Sequence, residues 1–356
     1  MPTLPPAAAT DAELTPPGAA HAVRAAIDCA RGTAELAAAA GRIRAYAADA
    51  LADGRDVLAS TRLISELNDA VTRQVVEQTA AAMAMDLRHA CWLTFGSQGR
   101  GEQTIATDQD NGLVFAAGAR ERWLAFGAQV NGVLAACGYP LCDGRIMAGQ
   151  PLCCLTADEW GRRFDHWMAH GSGNDLLAAR IYFDLRPLVG ALELAAPLRQ
   201  RLVSSAAANP RFIKQMADVV LCNHVALNWF GRVVTETRDG RAMYDLKQSG
   251  TALYVDAGRL WALAYAIADT ATDRRLQAAA AAMRVPAEEA SAWLSGFAAL
   301  QRLRLQVQRG RDDEADPESR NWVAWDDLDP AQREALKAAL RTARLVQQRI
   351  ALDYRR

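Results

Sequence analysis

Residues 92–115, WLTFGSQGRGEQTIATDQDNGLVF, form the stretch of this sequence that decides the fold. An apolar run leads into a glycine-rich turn and a polar segment, and two aspartates then lead into a second apolar run. Short apolar runs that contain aromatic or β-branched residues predict buried strands. Because a glycine-rich turn and spaced carboxylates lie between these strands, the same stretch predicts a functional site on the sheet.

The segments that follow alternate between helix and strand patterns. Residues 121–137, ERWLAFGAQVNGVLAAC, predict a helix, and Thr156 with Glu159 three residues later forms the capping box that opens another. Residues 180–188, RIYFDLRPL, are a compact strand-like run that its proline ends. Strands mixed with helices predict a small α/β or α+β domain over residues 89–195.

Helical patterns precede this domain. Residues 21–88 are rich in alanine and contain no strand signal, so they predict a helical N-terminal region. Its clearest helix has apolar residues at every fourth position, namely Leu63, Leu67, Val71 and Val75. Residues 1–20 are rich in proline and alanine without periodicity, which predicts a disordered tail.

Helical patterns also follow the domain, and residues 198–356 predict an all-α helical bundle. Its last helix has a well-specified start, with Asp329 as N-cap, Pro330 in the first turn and Gln332 completing the box. The charged segment 309–321 predicts a surface loop before that helix. The expected fold class is therefore α+β, with a small mixed-sheet core between an N-terminal helical region and a C-terminal helical bundle.

Composition and charge exclude several classes of protein. The 356 residues carry a formal net charge of −1, so no basic field for a nucleic-acid backbone is expected. The seven cysteines are odd in number and include no C-x-x-C pair, which favours the reducing cytoplasm over a disulfide framework. The sequence contains no apolar run long enough for a transmembrane helix, and it indicates no particular oligomeric state.

Three common motifs do not fit the glycine-rich turn. Gly96 and Gly101 have P-loop spacing, but a glutamate and a glutamine follow where that loop requires Lys and Ser or Thr. The glycines cannot be aligned with the dinucleotide pattern G-x-G-x-x-G. The segment DQDNG at 108–112 has its glycine one position too early for an EF-hand loop and lacks the glutamate at the twelfth position.

The remaining interpretation is a phosphate and metal site. If residues 108–115 are extended, alternation places the carboxylates of Asp108 and Asp110 on one face. Two such carboxylates repel each other unless cations neutralise them, and hard oxygen ligands suit Mg²⁺ (or Mn²⁺) bridging to substrate phosphates. Ser97 and the backbone of Gly96 could hold the outer phosphates of a nucleotide. These are the parts of a two-metal nucleotidyl transfer.

The motif resembles the signature of the polymerase-β-like nucleotidyltransferase superfamily, in the branch of PII uridylyltransferase and glutamine synthetase adenylyltransferase. Within that branch it is similar to a nucleotidyltransferase family often fused to CBS and cyclic-nucleotide-binding domains. Later blocks, including DLKQSGTALYVDAGRLWALA, resemble that family's helical substrate-binding domain. The matching core residues are Gly96, Ser97, Gly99, Arg100, Glu102, Thr107, Asp108, Gln109, Asp110 and Asn111.

The resemblance implies transfer of a nucleoside monophosphate from UTP or ATP to a hydroxyl, with a regulatory protein as the expected acceptor. A non-catalytic nucleotide-binding regulator of signal transduction is the alternative, and the intact aspartate pair favours catalysis over it. A nucleotidyltransferase acting on small molecules fits less well, because the detailed motif follows the regulatory branch.

The superfamily places a third carboxylate on a later strand, and two residues could supply it. Asp143 lies in a turn-like setting, whereas Asp184 lies in an apolar run that resembles the Asp-x-Arg block of the adenylyltransferases. We therefore expect Asp184 to act as a metal ligand or as the base for the acceptor hydroxyl. In an extended strand Arg186 would share its face, and an ion pair between the two is the structural alternative.

Other polar residues have two interpretations each. Arg100 either contacts the nucleotide or pairs with Glu102 across the helix start. Lys247, Asp256 and Arg259 form a polar patch in an apolar region, which predicts either a buried salt-bridge network or contacts to the substrate.

Overall fold

The structure is a computed structural model that describes residues 18–52, 56–309, 311 and 319–354. Most of the predicted tail and most of the predicted loop at 309–321 lie outside the described residues. Among the described residues, helix α1 begins at Gly18, slightly before the predicted helical region.

The described chain is mainly helical, as expected, and its strands form two separate sheets. The helices are α1 (Gly18–Cys29), α2 (Thr33–Ala52), α3 (Val57–Ala82), α4 (Gly96–Arg100), α5 (Arg120–Ala136), α6 (Ala157–His170), α7 (Gly173–Ala179), α8 (Ala196–Ala207), α9 (Pro210–Cys222), α10 (Ala252–Ala264), α11 (Thr272–Ala282), α12 (Ala287–Gln308) and α13 (Pro330–Tyr354). The strands are β1 (Ala90–Thr94), β2 (Asn111–Phe115), β3 (Cys154–Thr156), β4 (Arg186–Gly190), β5 (Glu236–Arg238), β6 (Arg241–Asp245) and β7 (Trp322–Ala324).

The first sheet is mixed and has the strand order β3-β2-β1-β4. Strand β1 lies in the centre and pairs antiparallel with β2 and β4, whereas β2 and β3 are parallel. Trp92 lies opposite Leu113 in the β1–β2 ladder. The two apolar runs of the opening sequence therefore form neighbouring strands, and the glycine-rich turn emerges from the end of the central one.

Both faces of this sheet are buried, and the residue alternation along β1 divides the core. Trp92 packs in a cluster with the N-terminal helices and α5, whereas Leu93 packs in the cluster of the C-terminal helices. In α3, Leu67, Val71 and Val75 are buried and Leu63 is partly buried against the same cluster, which confirms the predicted apolar face. The sheet is thus the middle layer between two helical layers.

The predicted strand-like run at 180–188 is wrong in its position. Residues Arg180–Asp184 form a 3₁₀ turn, and the strand is Arg186–Gly190, which contains Pro187 instead of ending there. Proline cannot donate a hydrogen bond to a ladder, so it is confined to edges and irregular positions. β4 is an edge strand, and its pairing with β1 shifts register beside this proline.

The C-terminal region is helical, as expected, and it also contains an antiparallel sheet of order β5-β6-β7 that the all-α assignment did not include. Asp239 and Gly240 connect β5 to β6, and both have positive φ angles of 49° and 74°. An Asp-Gly pair with left-handed backbone is a strong signal for a two-residue hairpin. The sequence therefore carried this signal, although the flanking strands are short and polar.

Helix ends follow the predicted caps. The hydroxyl of Thr156 accepts from the Glu159 amide, and the Glu159 side chain accepts from the Thr156 amide, which completes the predicted capping box. At the start of α13, the Asp329 amide donates to the Gln332 side chain at 3.0 Å, and the Gln332 amide donates to the Asp329 side chain at 2.8 Å.

Two helical glycines should respond oppositely to substitution by alanine. A Cβ at Gly99 would collide with the backbone carbonyl oxygens of Asp184 and Thr94, whereas one at Gly132 meets open space. We expect Gly99→Ala to lower the free energy of unfolding by about 1–3 kcal/mol. We expect Gly132→Ala to raise it by about 0.5–1 kcal/mol. Denaturant titration measures both, and equal effects would contradict the close approach at Gly99.

Candidate functional site

The glycine-rich turn brings the backbone of α4 against an aspartate. The Phe95 amide donates to the carbonyl of Asp110 at 2.9 Å, which joins the end of β1 to the residue before β2. Gly96 has a positive φ of 52°, and a Cβ there would lie 2.5 Å from Asp110 Oδ2. Glycine is therefore required at position 96, because the aspartate carboxylate occupies the space of a side chain.

The segment leading into β2 directs alternate side chains to opposite sides. Gln109 donates to the carbonyl of Asn131 at 3.0 Å, and the Asn131 amide donates to the Asn111 side chain at 2.9 Å. Asp108 and Asp110 point the other way and line a cleft. Ligand atoms of the two aspartates lie within 4.8 Å of each other. The alternation predicted from the sequence thus holds, although β2 begins only at Asn111.

The cleft has a volume of about 240 Å³ and lies between the sheet domain and the C-terminal helices. Ser97 lines it beside the aspartates, and its hydroxyl lies 3.4 Å from that of Thr107. One wall comes from α4 and the segment before β2, and the other comes from α10, α12 and residues 247–251. Its charged lining residues are Arg100, Glu102, Asp108, Asp110, Arg180, Lys247, Asp256, Arg259 and Arg304.

The environment of Asp110 opposes its ionisation. Burial, and after it the charge of the neighbouring Asp108, raise the pKa of this carboxyl to about 7, against the lowering effects of Cys142, Lys247 and Arg100. A like charge at short distance in a buried site is the usual cause of such a shift. The pair therefore has an electrostatic cost that a bound cation would offset.

A third potential ligand, Cys142, lies with the two aspartates, and the sequence analysis did not identify it. The Gln109 amide donates to the carbonyl of Pro140 at 3.1 Å, and the Asn111 amide donates to that of Ile146 at 3.0 Å. These bonds hold the loop that carries the cysteine alongside the aspartate segment. The sequence block LCDGRIM contains this cysteine beside Asp143, the other candidate for the third carboxylate. Asp143 itself is exposed.

Asp184, the favoured third carboxylate, is fully buried among three arginines. It accepts from Arg100 at 2.6 Å, from Arg259 at 2.7 and 3.1 Å, and from Arg275 at 2.6 Å. Burial alone would raise the pKa of this carboxyl, but the three guanidinium groups hold it far below its usual range. Each carboxylate oxygen of Asp184 already accepts two hydrogen bonds from guanidinium groups. These contacts do not support a role as metal ligand or base, which stays a prediction.

Arg186 is not the partner of Asp184, contrary to the sequence-based alternative. It pairs with Asp69 of α3 at 2.8 Å and donates to the carbonyl of Gln98 at 2.8 Å. The expectation failed because Asp184 ends a 3₁₀ turn, so the two side chains do not share the face of a strand.

The two interpretations of Arg100 are compatible with each other. It pairs with Glu102 at 2.9 Å, as one of them predicted, and it also lines the cleft. Glu102 in turn accepts from the backbone amide of Thr272, at the start of α11. The glycine-rich turn is therefore tied directly to the C-terminal helices.

The polar patch of α10 forms the buried network that one interpretation predicted. Asp256 pairs with Arg259 at 2.5 Å and with Arg180 at 2.9 Å. These residues and Lys247 also line the cleft, where substrate contacts were the other prediction. The patch is therefore both an ion-pair network and part of the lining of the cleft that contains the aspartates.

The donor set at the aspartates fits a divalent cation. Carboxylate oxygens are the ligands that Mg²⁺ and Mn²⁺ prefer in proteins. Mg²⁺ keeps several water molecules, so Asp108 and Asp110 alone can hold it. The buried position of Asp110 beside a like charge adds an electrostatic reason for a cation at this place.

A Gly-Ser turn, an Asp-x-Asp segment on a small mixed sheet and a helical domain across a cleft form the arrangement that is expected of the nucleotidyltransferase class. Two family models match it, "Putative nucleotidyltransferase DUF294" over residues 41–174 and "Putative nucleotidyltransferase substrate binding domain" over residues 210–354. The chain belongs to this nucleotidyltransferase family, with its C-terminal substrate-binding domain. No curated protein matches it. Among the residues described by the structure, every helix is too short or too polar to span a bilayer.

The raised pKa of Asp110 predicts that Asp110→Asn stabilises the metal-free protein in a pH-dependent way. Folding disfavours the ionised carboxylate, which lowers the free energy of unfolding. This loss of stability is absent below pH 3.8, the pKa in the unfolded state, and complete above about pH 7, the pKa in the folded state. At pH 8 we expect the free energy of unfolding to rise by up to about 4 kcal/mol, at 1.36 kcal/mol per pKa unit. The gain should disappear towards pH 4.

Denaturant titrations in a chelating buffer at several pH values measure this effect. Asp143→Asn changes an exposed carboxylate nearby and should alter stability by less than about 0.5 kcal/mol at each pH. An Asp110→Asn protein that is less stable than the parent at pH 8 would refute the electrostatic cost.

Asp184→Asn should destabilise the fold strongly, because three buried guanidinium groups would lose their shared counter-charge. Removing one partner of a buried ion pair typically costs about 3–5 kcal/mol. The control is Asp165→Asn, whose pair with Arg201 is exposed and should contribute less than about 1 kcal/mol. Similar small effects in the two variants, measured by denaturant titration, would show that the arginine cluster does not depend on Asp184.

Proposed function

We propose that this protein transfers a nucleoside monophosphate from a nucleoside triphosphate to a hydroxyl by a metal-dependent mechanism. The observation that carries the proposal is the pair Asp108 and Asp110. Their carboxylates lie close together in a cleft that arginine and lysine side chains also line. A buried carboxylate beside a second carboxylate destabilises a fold, and such costs concentrate at functional sites. A catalytic metal site would explain this pair of carboxylates, and it agrees with the nucleotidyltransferase family of the chain.

Asp108 and Asp110 are proposed to hold Mg²⁺ or Mn²⁺, in a two-metal site when substrate is present. The cations would neutralise the phosphate charge, orient the attacking hydroxyl and stabilise the leaving pyrophosphate. The contribution of the protein is to present two carboxylates at fixed separation. Gly96 permits this arrangement because Asp110 can lie directly against its backbone.

Basic residues of both walls are proposed to bind the triphosphate. Arg100 comes from the glycine-rich turn, whereas Lys247 and Arg259 come from the substrate-binding domain across the cleft. Guanidinium groups that are already fixed by carboxylates lose little conformational entropy when they bind phosphate. Asp184 and Asp256 fix Arg259 in this way, so we propose Asp184 as a positioning residue.

The substrates are proposed from the resemblance to the uridylyl- and adenylyltransferases. UTP or ATP would be the donor, and a hydroxyl on a regulatory protein would be the acceptor, which gives the enzyme a place in signal transduction. All seven cysteines are free in the described part of the chain, in agreement with the reducing cytoplasm as its location.

Asp108→Asn should abolish transfer while it preserves the fold. Purified protein is incubated with each labelled nucleoside triphosphate, Mg²⁺ and a cell lysate, and both pyrophosphate release and labelled acceptors are measured. We expect a loss of several orders of magnitude, since the metal site supplies most of the charge stabilisation in such transfers. Asp143→Asn, which removes an exposed carboxylate, serves as the matched control.

The alternative function gives a different result in the same experiment. A nucleotide sensor would bind a triphosphate and release no pyrophosphate with any acceptor. Measurable pyrophosphate release that is equal in the parent and Asp108→Asn would instead reject the metal assignment.

Ser97 is proposed to donate to the outer phosphates, together with the backbone at Gly96. Ser97→Ala should weaken triphosphate binding by about 1–3 kcal/mol, the cost of losing one hydrogen bond to a charged group. Calorimetric titration with a non-hydrolysable triphosphate measures the change. Unchanged affinity would place the outer phosphates elsewhere in the cleft.

A further inference from the structure

We propose that Cys142 is a third protein ligand in this site, which makes the aspartate pair a binding site for a thiophilic divalent cation, namely Zn²⁺. The inference deepens the proposed function, because the same two aspartates are assigned there to Mg²⁺ or Mn²⁺. Oxygen ligands alone would then hold the catalytic cation, whereas two oxygens and a sulfur would hold Zn²⁺.

The first argument is proximity. The Sγ of Cys142 and one carboxylate oxygen from each of Asp108 and Asp110 all lie within 4.8 Å of one another. Two ligands at about 2.0–2.3 Å from one ion can be no more than about 4.6 Å apart. Small side-chain adjustments therefore suffice to close these three groups around a single cation.

The second argument is that the loop is built to stay in place. The amides of Gln109 and Asn111, which flank Asp110, both donate to the loop that carries Cys142. The Arg145 amide donates to the carbonyl of Cys142 itself at 2.9 Å, which closes a turn around it. Because the loop that carries Cys142 is hydrogen-bonded to the aspartate segment, it presents the sulfur to the site without a backbone rearrangement.

The third argument is the chemistry of the donor set. Asp110 is buried beside a like charge, so the cluster has an electrostatic demand for a cation. When a cation binds, the Cys142 thiol would release its proton to solvent, and the resulting thiolate is a soft ligand that favours Zn²⁺ over Mg²⁺, whereas carboxylates accept both. Three protein ligands with a fourth position open is the usual arrangement of an accessible zinc site.

A consequence follows for regulation. Zn²⁺ held by all three groups would compete with Mg²⁺ for the aspartates and would draw Asp108 and Asp110 towards the sulfur. We therefore expect Zn²⁺ to inhibit transfer in the presence of excess Mg²⁺. Removal of the sulfur should relieve this inhibition.

Cd²⁺ provides a direct test, because its bond to a thiolate absorbs in the ultraviolet and needs no enzymatic activity. The background is full-length protein with the exposed thiols removed, Cys29→Ser and Cys222→Ser. We expect Cd²⁺ titration of this protein to give a sulfur-to-cadmium band that saturates at one equivalent. Adding Cys142→Ser should abolish the band, while circular dichroism reports whether the fold is intact.

A second variant separates a shared site from a simple thiol adduct. Asp108→Asn leaves every cysteine in place but removes an oxygen ligand, so it should weaken Cd²⁺ binding by about tenfold or more. Asp143→Asn, next to the cysteine but exposed, should leave the titration unchanged. A band that survives Cys142→Ser, or one with full affinity in Asp108→Asn, would overturn the proposal.

The inhibition assay then separates this inference from the proposed function. If the protein releases pyrophosphate, Zn²⁺ inhibition should be at least about tenfold weaker in Cys142→Ser than in the parent. Equal inhibition of both proteins would count against the shared site. A protein that binds Cd²⁺ through Cys142 and Asp108 but transfers no nucleotide would reject the proposed function and retain the metal site.

Discussion

The structure depends on one buried carboxylate that three arginines share. Asp184 ends the turn before the edge strand of the sheet, and its partners come from the glycine-rich turn and from two C-terminal helices. Arg100 belongs to α4, Arg259 to α10 and Arg275 to α11, so a single negative charge joins the sheet domain to the substrate-binding domain. Because the cleft lies between these two regions, this ion cluster determines where its walls stand.

Asp110 is also buried, and comparison of the two carboxylates separates structural from functional roles. Surrounding guanidinium groups lower the pKa of Asp184, whereas burial and a second aspartate raise that of Asp110. The first charge is balanced within the chain and stabilises the fold. The second is balanced only partly by Lys247 and Arg100, and it therefore favours a cation from solution. The two carboxyls are similarly buried, yet their pKa values shift in opposite directions because different charged side chains surround them.

Much of this could be predicted from the sequence because the signals are local. The apolar runs around Trp92 and Leu113 predicted neighbouring strands, and the caps at Thr156 and Asp329 predicted helix starts. The spacing of Asp108 and Asp110 predicted their common side. The hairpin at 239–240 also had a local signal, which was not used. Each of these features depends on a few consecutive residues, and their chemistry is visible in one line of sequence.

The sequence by itself determined most of the helices, the first two strands of the mixed sheet, the family, and the presence of two carboxylates on one side of a chain segment. Tertiary structure alone decided which charges meet. Asp184 accepts hydrogen bonds from arginines that are far apart in sequence, and Cys142 lies with Asp108 and Asp110, a contact that no local pattern predicted. The physical reason is that ion pairs and ligand sets depend on distances between segments that are remote along the chain. Short-range patterns of residues carry no information on those distances.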